Sequence, residues 1–396
     1  MAPGETLGLL FLEMSQKGKT YTLQFWLLSL SSFLFFGSFN MVLPELPDFM
    51  RSFGGEKYIG LHITFFTLTA LISRPFSGKL TDTWGRIPVM VVGAAVTAIV
   101  SLFYPFFLNI YAFLFVRFIH GFSTGFKPTG TSAYVADIIP PNKRGEGMGI
   151  LSFFGMTGMG FGNYIGGEMV LHFPIEALFY TSAGVAVSSV LVLLGMKETL
   201  ENKQRFSPSL LRINWGDIYE PTVIVPTMVM LLVTFSFGVA VSLAPDHSKA
   251  LGVDNKGLFF VYFTITSLLA RIGGGYFSDR LGRRAVLLLA TLVIAAGSVY
   301  IGLASSPFHL FAGALMFGAG YGLSSPSIFA WATDLAPEKY RGRAFSTVFM
   351  ALEIGIGTGA LLGGQIYAGN AENLPIAFIG AGLMAFLGFI YLVFKK

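Results

Sequence analysis

Arg74-Pro-Phe-Ser-Gly78-Lys-Leu-Thr-Asp82-Thr-Trp-Gly85-Arg86 connects two long apolar segments, and the chain repeats it as Arg271-Ile-Gly-Gly-Gly275-Tyr-Phe-Ser-Asp279-Arg-Leu-Gly282-Arg283. Arg74, Gly78, Asp82, Gly85 and Arg86 each recur 197 positions later. The same offset carries Asp137, Pro140, Arg144 and Gly145 to Asp334, Pro337, Arg341 and Gly342. It also carries Gly158, Gly162, Gly166 and Gly167 to Gly355, Gly359, Gly363 and Gly364. Nearer the start of each half, Pro47, Asp48 and Gly54 match Pro245, Asp246 and Gly252 at an offset of 198. A spacing held over so many positions means duplication, with two related halves in tandem.

Only 12% of the residues are charged and 54% are hydrophobic, whereas soluble domains have about a quarter charged. With a mean hydropathy of +0.68, this describes a polytopic membrane protein. The 48 glycines against 18 prolines suit helices packed through small residues, and the lack of cysteine excludes disulfides and thiolate metal sites. Apolar stretches of roughly 20 residues fall at about 22–44, 57–80, 87–108, 110–138, 146–171, 175–196, 221–244, 256–278, 285–305, 308–336, 344–368 and 373–394, twelve in all.

The net charge of +5 marks one side of a membrane rather than a nucleic-acid surface. Of 26 Lys and Arg, 18 fall on the side shared by the termini, four opposite (Arg51, Lys57, Lys249, Lys256) and four at membrane depth (Arg74, Arg117, Lys127, Arg271). Positive charge stays inside, so both termini of this multi-pass cell-membrane protein are expected in the cytoplasm. Residues 1–21 then form a cytoplasmic N-terminal segment, 22–196 one six-helix bundle, 197–220 a cytoplasmic linker and 221–396 the second bundle. Met1 to Lys19 lacks the charge order of a secretory signal, since Lys17 and Lys19 follow its apolar run. Leu7 to Met14 reads either as a surface-lying segment or as an appended one. In the linker, Lys203, Arg205, Arg212 and Trp215 suit an anionic headgroup layer.

Gly-x-x-x-Asp-x-x-Gly-Arg, between the second and third apolar segments of each half, resembles the signature loop of the Major Facilitator Superfamily. The resemblance covers essentially the whole chain. It implies an all-α membrane fold of twelve transmembrane helices in two six-helix bundles, related by an axis along the membrane normal, with a substrate site between them. It also implies secondary transport by alternating access, without a cofactor. In such a protein the loop is similar to a cytoplasmic latch. Asp82 would face the start of span eleven, Arg86 would pair with Asp137, and gating would fall to Gly78, Asp82, Gly85, Arg86, Asp137 and Arg144, with Gly275, Asp279, Gly282, Arg283, Asp334 and Arg341 in the repeat. Charge-assisted bonds suit a latch because they break and reform.

Span four reads Arg117-Phe-Ile-His-Gly-Phe-Ser-Thr-Gly-Phe-Lys-Pro-Thr-Gly-Thr131. At about 100° per residue, Arg117, His120, Thr124, Lys127 and Thr131 fall within roughly 80° of one another, a polar stripe at membrane depth. A charge there costs on the order of 3 kcal/mol, so the stripe needs a partner or water. Arg117 and Lys127 have Ala314 and Ser324 as repeat equivalents, so neither is duplicated scaffold. They read as coupling or substrate charges, or as a structural ion pair; if functional, two cations favour an anionic or strongly dipolar substrate. Arg117-x-x-x-Gly121 resembles the family's second motif, whose Arg is linked to proton movement.

In span five, Gly158-x-x-x-Gly162-Asn163-Tyr-Ile-Gly166-Gly167 resembles the antiporter motif associated with export against a proton, with Asn163 where proline is expected. Asn163 is counted with the substrate-binding positions, and the glycines alone also suit tight packing. Glu353, some ten residues into span eleven, has Met156 as its equivalent. A carboxyl at that depth is a proton carrier or the partner of Lys127 or Arg117. Glu45 and Asp48 stand at an outer helix end as wetted charges, with titration during transport as their second reading. Glu168 is expected to be solvated near the same end.

Gly18-Lys19-Thr20 lacks the first glycine of a phosphate loop, with Glu13 in its place, so ATP is not the evident energy source. The five histidines have no metal-ligand spacing, and Gly121-Phe-Ser-Thr-Gly125 lies inside a span rather than on a nucleophile elbow. No enzymatic site is expected. The sequence reading is a monomeric secondary transporter of a small organic molecule, coupled to protons and working by export, with membrane lipids around it. Left open beside it are a proton symporter or flippase for an anionic solute or lipid, and a non-transporting membrane receptor.

Overall fold

The computed structural model describes residues 21–140, 143–212, 218–337 and 341–395. The segment 1–20, including Leu7 to Met14, and Trp215 of the linker lie outside the described residues. Among the described residues, twelve helices of 18 to 29 residues follow one another: α1 Leu23–Val42, α2 Ile59–Thr83, α3 Arg86–Phe103, α4 Ile110–Ile138, α5 Arg144–His172, α6 Ile175–Leu194, α7 Ile224–Ala250, α8 Leu258–Leu281, α9 Arg283–Gly302, α10 Pro307–Leu335, α11 Arg341–Tyr367 and α12 Leu374–Phe394. At about 1.5 Å per residue they are roughly 27–43 Å long, enough for a hydrocarbon layer about 30 Å thick. Eight are apolar enough to cross a membrane judged alone. An even number of crossings brings both chain ends out on one side, here called the terminal side; the other is the far side.

Chain punctuation explains the boundaries. Gly85 (φ +139°) and Gly282 (φ +88°) sit in the left-handed region before α3 and α9, where a side chain would be strained. The Glu198 carboxylate accepts from the Arg86 and Ile87 amides at 3.1 and 3.0 Å, supplying negative charge at the start of α3. Asn109 and Ser306 accept from the first amides of α4 and α10. On the far side α1 continues through a 3₁₀ turn into a short helix, Leu46–Arg51, and α7 runs on to Ala250. Spans one and seven are therefore longer than the apolar runs ending at 44 and 244. Their prolines sit in the first turn of the short helix and inside α7 without breaking the path.

The packing repeats as the sequence does. α1 lies on α5 and α6, α2 on α4, and α3 on α4 and α6; correspondingly α7 lies on α11 and α12, α8 on α10, and α9 on α10 and α12. Glycines set the spacing. A Cβ at Gly158, Gly162 or Gly166 would stand 2.3, 2.2 or 1.9 Å from the Phe33, Gly37 or Met41 carbonyl oxygen, so α5 touches α1 backbone to backbone. Gly359 of α11 meets the Phe235 carbonyl of α7 in the same way, at 2.1 Å. Leu269, Ile272, Leu281 and Phe308 face outward, 64–75% exposed, where lipid would cover them.

Candidate functional site

The two bundles meet along two seams, α2 against α11 and α5 against α8, and these are related by the repeat. At the far end of the first, a Cβ on Gly60 would stand 2.2 Å from the Ala360 oxygen; in the second, one on Gly257 would stand 1.9 Å from the Asn163 oxygen. One step inward, a Cβ on Gly357 would meet Thr67 Oγ1 at 2.5 Å, and one on Gly160 would meet Thr264 Cγ2 at 3.0 Å. Thr64 Oγ1 adds a bond to the Gly357 carbonyl at 2.9 Å. One step further the first seam becomes ionic. Arg74 donates to Glu353 Oε1 through Nη2 at 2.5 Å and Nε at 3.2 Å, and its guanidinium lies 4.5 Å from the centre of the Phe349 ring.

Glu353 thus has Arg74 as its cation, in place of the expected Lys127 or Arg117. Both of those are held inside the first bundle. Arg117 is fully buried, donating to the His62 carbonyl at 3.2 Å and the Tyr104 hydroxyl at 3.0 Å, beside His120 Nδ1 and over the Phe66 ring. Lys127 lies ten residues further along α4, its Nζ reaching Ser32 Oγ at 3.4 Å and the Phe35 ring at 5.1 Å on α1. The predicted stripe is one face of one helix, yet its charges diverge, toward α2 and the turn after α3 at one end and α1 at the other. Thr131 is buried against Met90 and bonds back to the Lys127 carbonyl, and Thr124 bonds back to the Gly121 carbonyl. Asn163 lies at the α5–α8 seam, fully buried, donating to the Met159 carbonyl at 2.9 Å and leaving Oδ1 without a partner. Of the motif glycines, Gly158, Gly162 and Gly166 pack α5 on α1, while Gly167 meets Asn255 across the seam.

The far side is closed by charge. Glu45 is not a wetted helix-end charge, because the opposite bundle covers it, while Asp48 stays partly exposed at 29% and is bonded by cations of both bundles. Lys256 bonds Glu45 and also Asp48, at 2.9 Å from the latter. Lys249 reaches Asp48 at 2.9 Å, and Arg51 bonds Asp48 at 2.7 Å, Asp246 at 2.5 Å and the Tyr367 hydroxyl at 3.1 Å. Glu45 is 3% exposed and Asp246 5%. In the turn before α8, burial alone would pull the Lys256 ammonium down, but the carboxylates of Glu45 and Asp48 outweigh it and hold the group above its usual value. Glu168 is partly exposed, accepting from Asn255 at 3.2 Å, with His172 alongside.

On the terminal side the aspartates of the signature loops bond within their own halves. Arg86 pairs with Asp137 at 3.1 Å, as expected, and also with Asp82 at 3.1 Å. Asp82 does not lie packed against the start of α11: its side chain is 74% exposed and bonds within its own half. The repeat behaves alike, with Arg283 bonded to Asp334 at 3.0 Å and to Asp279, itself 66% exposed. Arg144 donates to the Ala136 carbonyl at 2.7 Å, and nothing lies within 4 Å of where a Cβ on Gly78 would stand. Gly275 lies in α8, and Arg341 begins α11. Among the described residues, the bonds between the bundles therefore run from the far side to mid-membrane, while Asp82 and Asp279 on the terminal side bond within their own halves.

Arg51, Arg74, Asp246, Lys249, Lys256 and Tyr367 were not among the predicted site residues. A signal existed: three of the four far-side cations enter the network, and Arg51 with Asp48 recurs as Lys249 with Asp246 at the offset of 198.

Two pseudo-equivalent helical bundles, joined by ion pairs from one side to mid-membrane, are the architecture of a polytopic secondary transporter that alternates access to a site between them. The chain belongs to the Major Facilitator Superfamily, whose profile matches residues 28–270 and 226–396. It is 28% identical over 356 residues to the multidrug resistance protein MdtG of Serratia proteamaculans (strain 568), covering 86% of each chain. Among solved structures it resembles the human organic anion transporter MFSD10 (TM-score 0.72, 19% identity, 93% of this chain and 98% of that one). It also resembles a D-xylose–proton symporter (TM-score 0.75, 15% identity, 93% and 96%). These last two likenesses establish the fold.

Proposed function

We propose that the protein exports small organic molecules in exchange for protons, with Glu353 as the proton carrier and Arg74 as the charge that releases it. The observation that carries this reading is the Arg74–Glu353 pair, which ties the bundles together at mid-membrane. A carboxylate bonded to a guanidinium is ionised. When the bundles part, the bond is lost, and a carboxyl left in apolar surroundings takes up a proton. Proton occupancy thus differs between the two states, which is what coupling requires. The likeness to proteins named for multidrug resistance supports export and a small-molecule cargo.

In this reading the terminal side, with 18 of the 26 basic residues, is cytoplasmic, and the structure is the inward-facing state. Residues 22–196 and 221–396 would rock as two units, with Glu45 and Asp48 in the outer gate and the Asp82 and Asp279 loops closing the inner mouth in the opposite state. Arg117, His120, Thr124, Thr131 and Asn163 would brace the first bundle beside the path, with Lys127 enclosed among them.

The test is proton movement in proteoliposomes carrying a preset pH gradient, on adding candidate cations, neutral molecules and anions, with Glu353→Gln alongside. Glu353→Gln is expected to abolish substrate-driven proton flux while retaining substrate counterflow. Equal proton flux in the variant would remove Glu353 from the mechanism, and protons moving with the substrate would make the protein a symporter.

A further inference from the structure

The two seams match rung by rung until the third. In α2–α11 the rungs are Gly60 with Ala360, Thr67 with Gly357, and Arg74 with Glu353. In α5–α8 they are Gly257 with Asn163 and Thr264 with Gly160, and the repeat assigns the third place to Arg271 and Met156, the equivalents of Arg74 and Glu353. Arg271 is seven residues beyond Thr264, as Arg74 is beyond Thr67. At about 100° and 1.5 Å per residue it stands on the same helix face, roughly 10 Å toward the terminal side. That face is turned to the first bundle.

Arg74 has a carboxylate and an aromatic ring there. Arg271 has neither: Met156 and Ser152 hold the positions equivalent to Glu353 and Phe349. Among the described residues Arg271 forms no ion pair, and its Nε is buried without a hydrogen-bond partner. The rest of the side chain is only half-buried, so its guanidinium is reachable. Tyr321 of α10 lies on the same side of the second bundle. Tyr321 stacks on Phe237 of α7 with centroids 4.7 Å apart and lies 5.6 Å from Phe263. Unpaired charge at membrane depth is costly, and unlike Lys127, which is enclosed within the first bundle, Arg271 is set by the helix period on the face that meets the other bundle. A guanidinium, a stacked tyrosine and a flexible methionine offer one anionic contact and an apolar platform.

We propose that Arg271 is a substrate-binding residue that takes the carboxylate of an aromatic or otherwise apolar organic anion, the ligand standing where the other seam has Glu353. The proposal rests on the transport reading above but not on its proton carrier. It moves the anion preference inferred from Lys127 and Arg117 to a residue that faces the partner bundle.

The test is calorimetric binding of 2-naphthoate, and of the neutral isostere 2-naphthamide, to the purified full-length protein. The native protein is expected to bind the anion tenfold or more tightly than the amide, as one charge-assisted contact allows. Arg271→Gln should erase that preference and Arg271→Lys should keep part of it. Met156→Glu should also erase it, by giving Arg271 an internal carboxylate, while leaving the protein as stable as before or more so. Equal binding of the two probes by the native protein, or an undiminished preference in Met156→Glu, would overturn the assignment. Glu353→Gln should still prefer the anion, so failure of the proton-carrier reading and failure of this one give different results. Measurement in nanodiscs with and without phosphatidylglycerol separates substrate from lipid. Loss of naphthoate binding on adding the lipid would make this a headgroup site and refute a substrate role.

Discussion

Arg51 and Lys249 stand at equivalent positions of the two halves, and each reaches across to the other half's aspartate, Arg51 to Asp246 at 2.5 Å and Lys249 to Asp48 at 2.9 Å. The far-side closure is thus a pair of exchanged bonds about the pseudo-twofold axis, reinforced by Lys256 between Glu45 and Asp48. The two bonds differ in weight, because Asp246 is buried whereas the Lys249 side chain is 59% exposed.

Asp246→Asn should loosen the far side more than Lys249→Ala. A hydrogen bond to a buried charge contributes about 1.5–3 kcal/mol, and every 1.4 kcal/mol is about tenfold in population. The chain has no cysteine, so Thr64→Cys in the α2–α11 seam is a single reporter. An impermeant maleimide added from the far side should label it about tenfold faster in Asp246→Asn, with a smaller gain in Lys249→Ala. Equal rates in all three proteins would mean that these bonds do not hold the gate.

The signature glycines should separate into two kinds. Gly162→Leu drives a side chain into the Gly37 carbonyl, where even a Cβ would stand at 2.2 Å, so α5 cannot seat on α1 and monodisperse yield should collapse. Gly78→Ala meets nothing within 4 Å in this state. It should leave the denaturation midpoint unchanged or raised, since alanine is favoured over glycine in a helix by about 1 kcal/mol. If Gly78→Ala nevertheless slows transport, its glycine serves the state in which the terminal side closes.

Which parts of this arrangement could be read beforehand follows from the physics of the repeat. Helix count and the Arg86–Asp137 pair were legible because they depend on local apolar length and on a loop that bonds within its own half. Glu353 stood out because its equivalent is Met156. Its partner did not, since Arg74 belongs to a duplicated motif and its place opposite α11 depends on how the bundles dock. The α4 stripe shows the same limit from the other side. Period gives a face, but Arg117 and Lys127 lean toward different neighbours. Glu45 was misjudged for the same reason, as a helix end is wet only until the other half covers it.

Glu220 anchors the start of α7 to α11, accepting from Arg343 Nε and Nη2 at 3.0 and 2.5 Å and from Thr222. The bonds from Arg343 hold this carboxyl below its usual value near 4.5. A lowered folded-state value contributes stability that is present above the unfolded value and disappears as pH falls through the folded one. Denaturation midpoints measured below about pH 4.5 should therefore fall more steeply in the native protein than in Glu220→Gln, and the two curves should converge in acid. Parallel curves would show that the pair contributes nothing to holding α7.

Lys127 offers the sharpest contrast between a charge that works and one that is only accommodated. Its ammonium is fully buried against Ser32 and Phe35, and a Cβ on Gly93 of α3 would stand 2.6 Å from the Lys127 amide, so α3 packs closely on this part of α4. One hydroxyl at 3.4 Å and one ring at 5.1 Å are weak compensation for a desolvated cation. The ring contact is of order 1–2 kcal/mol, against several kcal/mol for burying the ion. Lys127→Met keeps the stem and removes the charge. It should raise the denaturation midpoint, by on the order of 1 kcal/mol or more in stability, while preserving 2-naphthoate binding and counterflow. Lys127→Glu should fail to fold, because it reverses the charge beside the face of Phe35. A lower midpoint in Lys127→Met, or loss of counterflow with folding intact, would instead make Lys127 a group that moves into the path during the cycle.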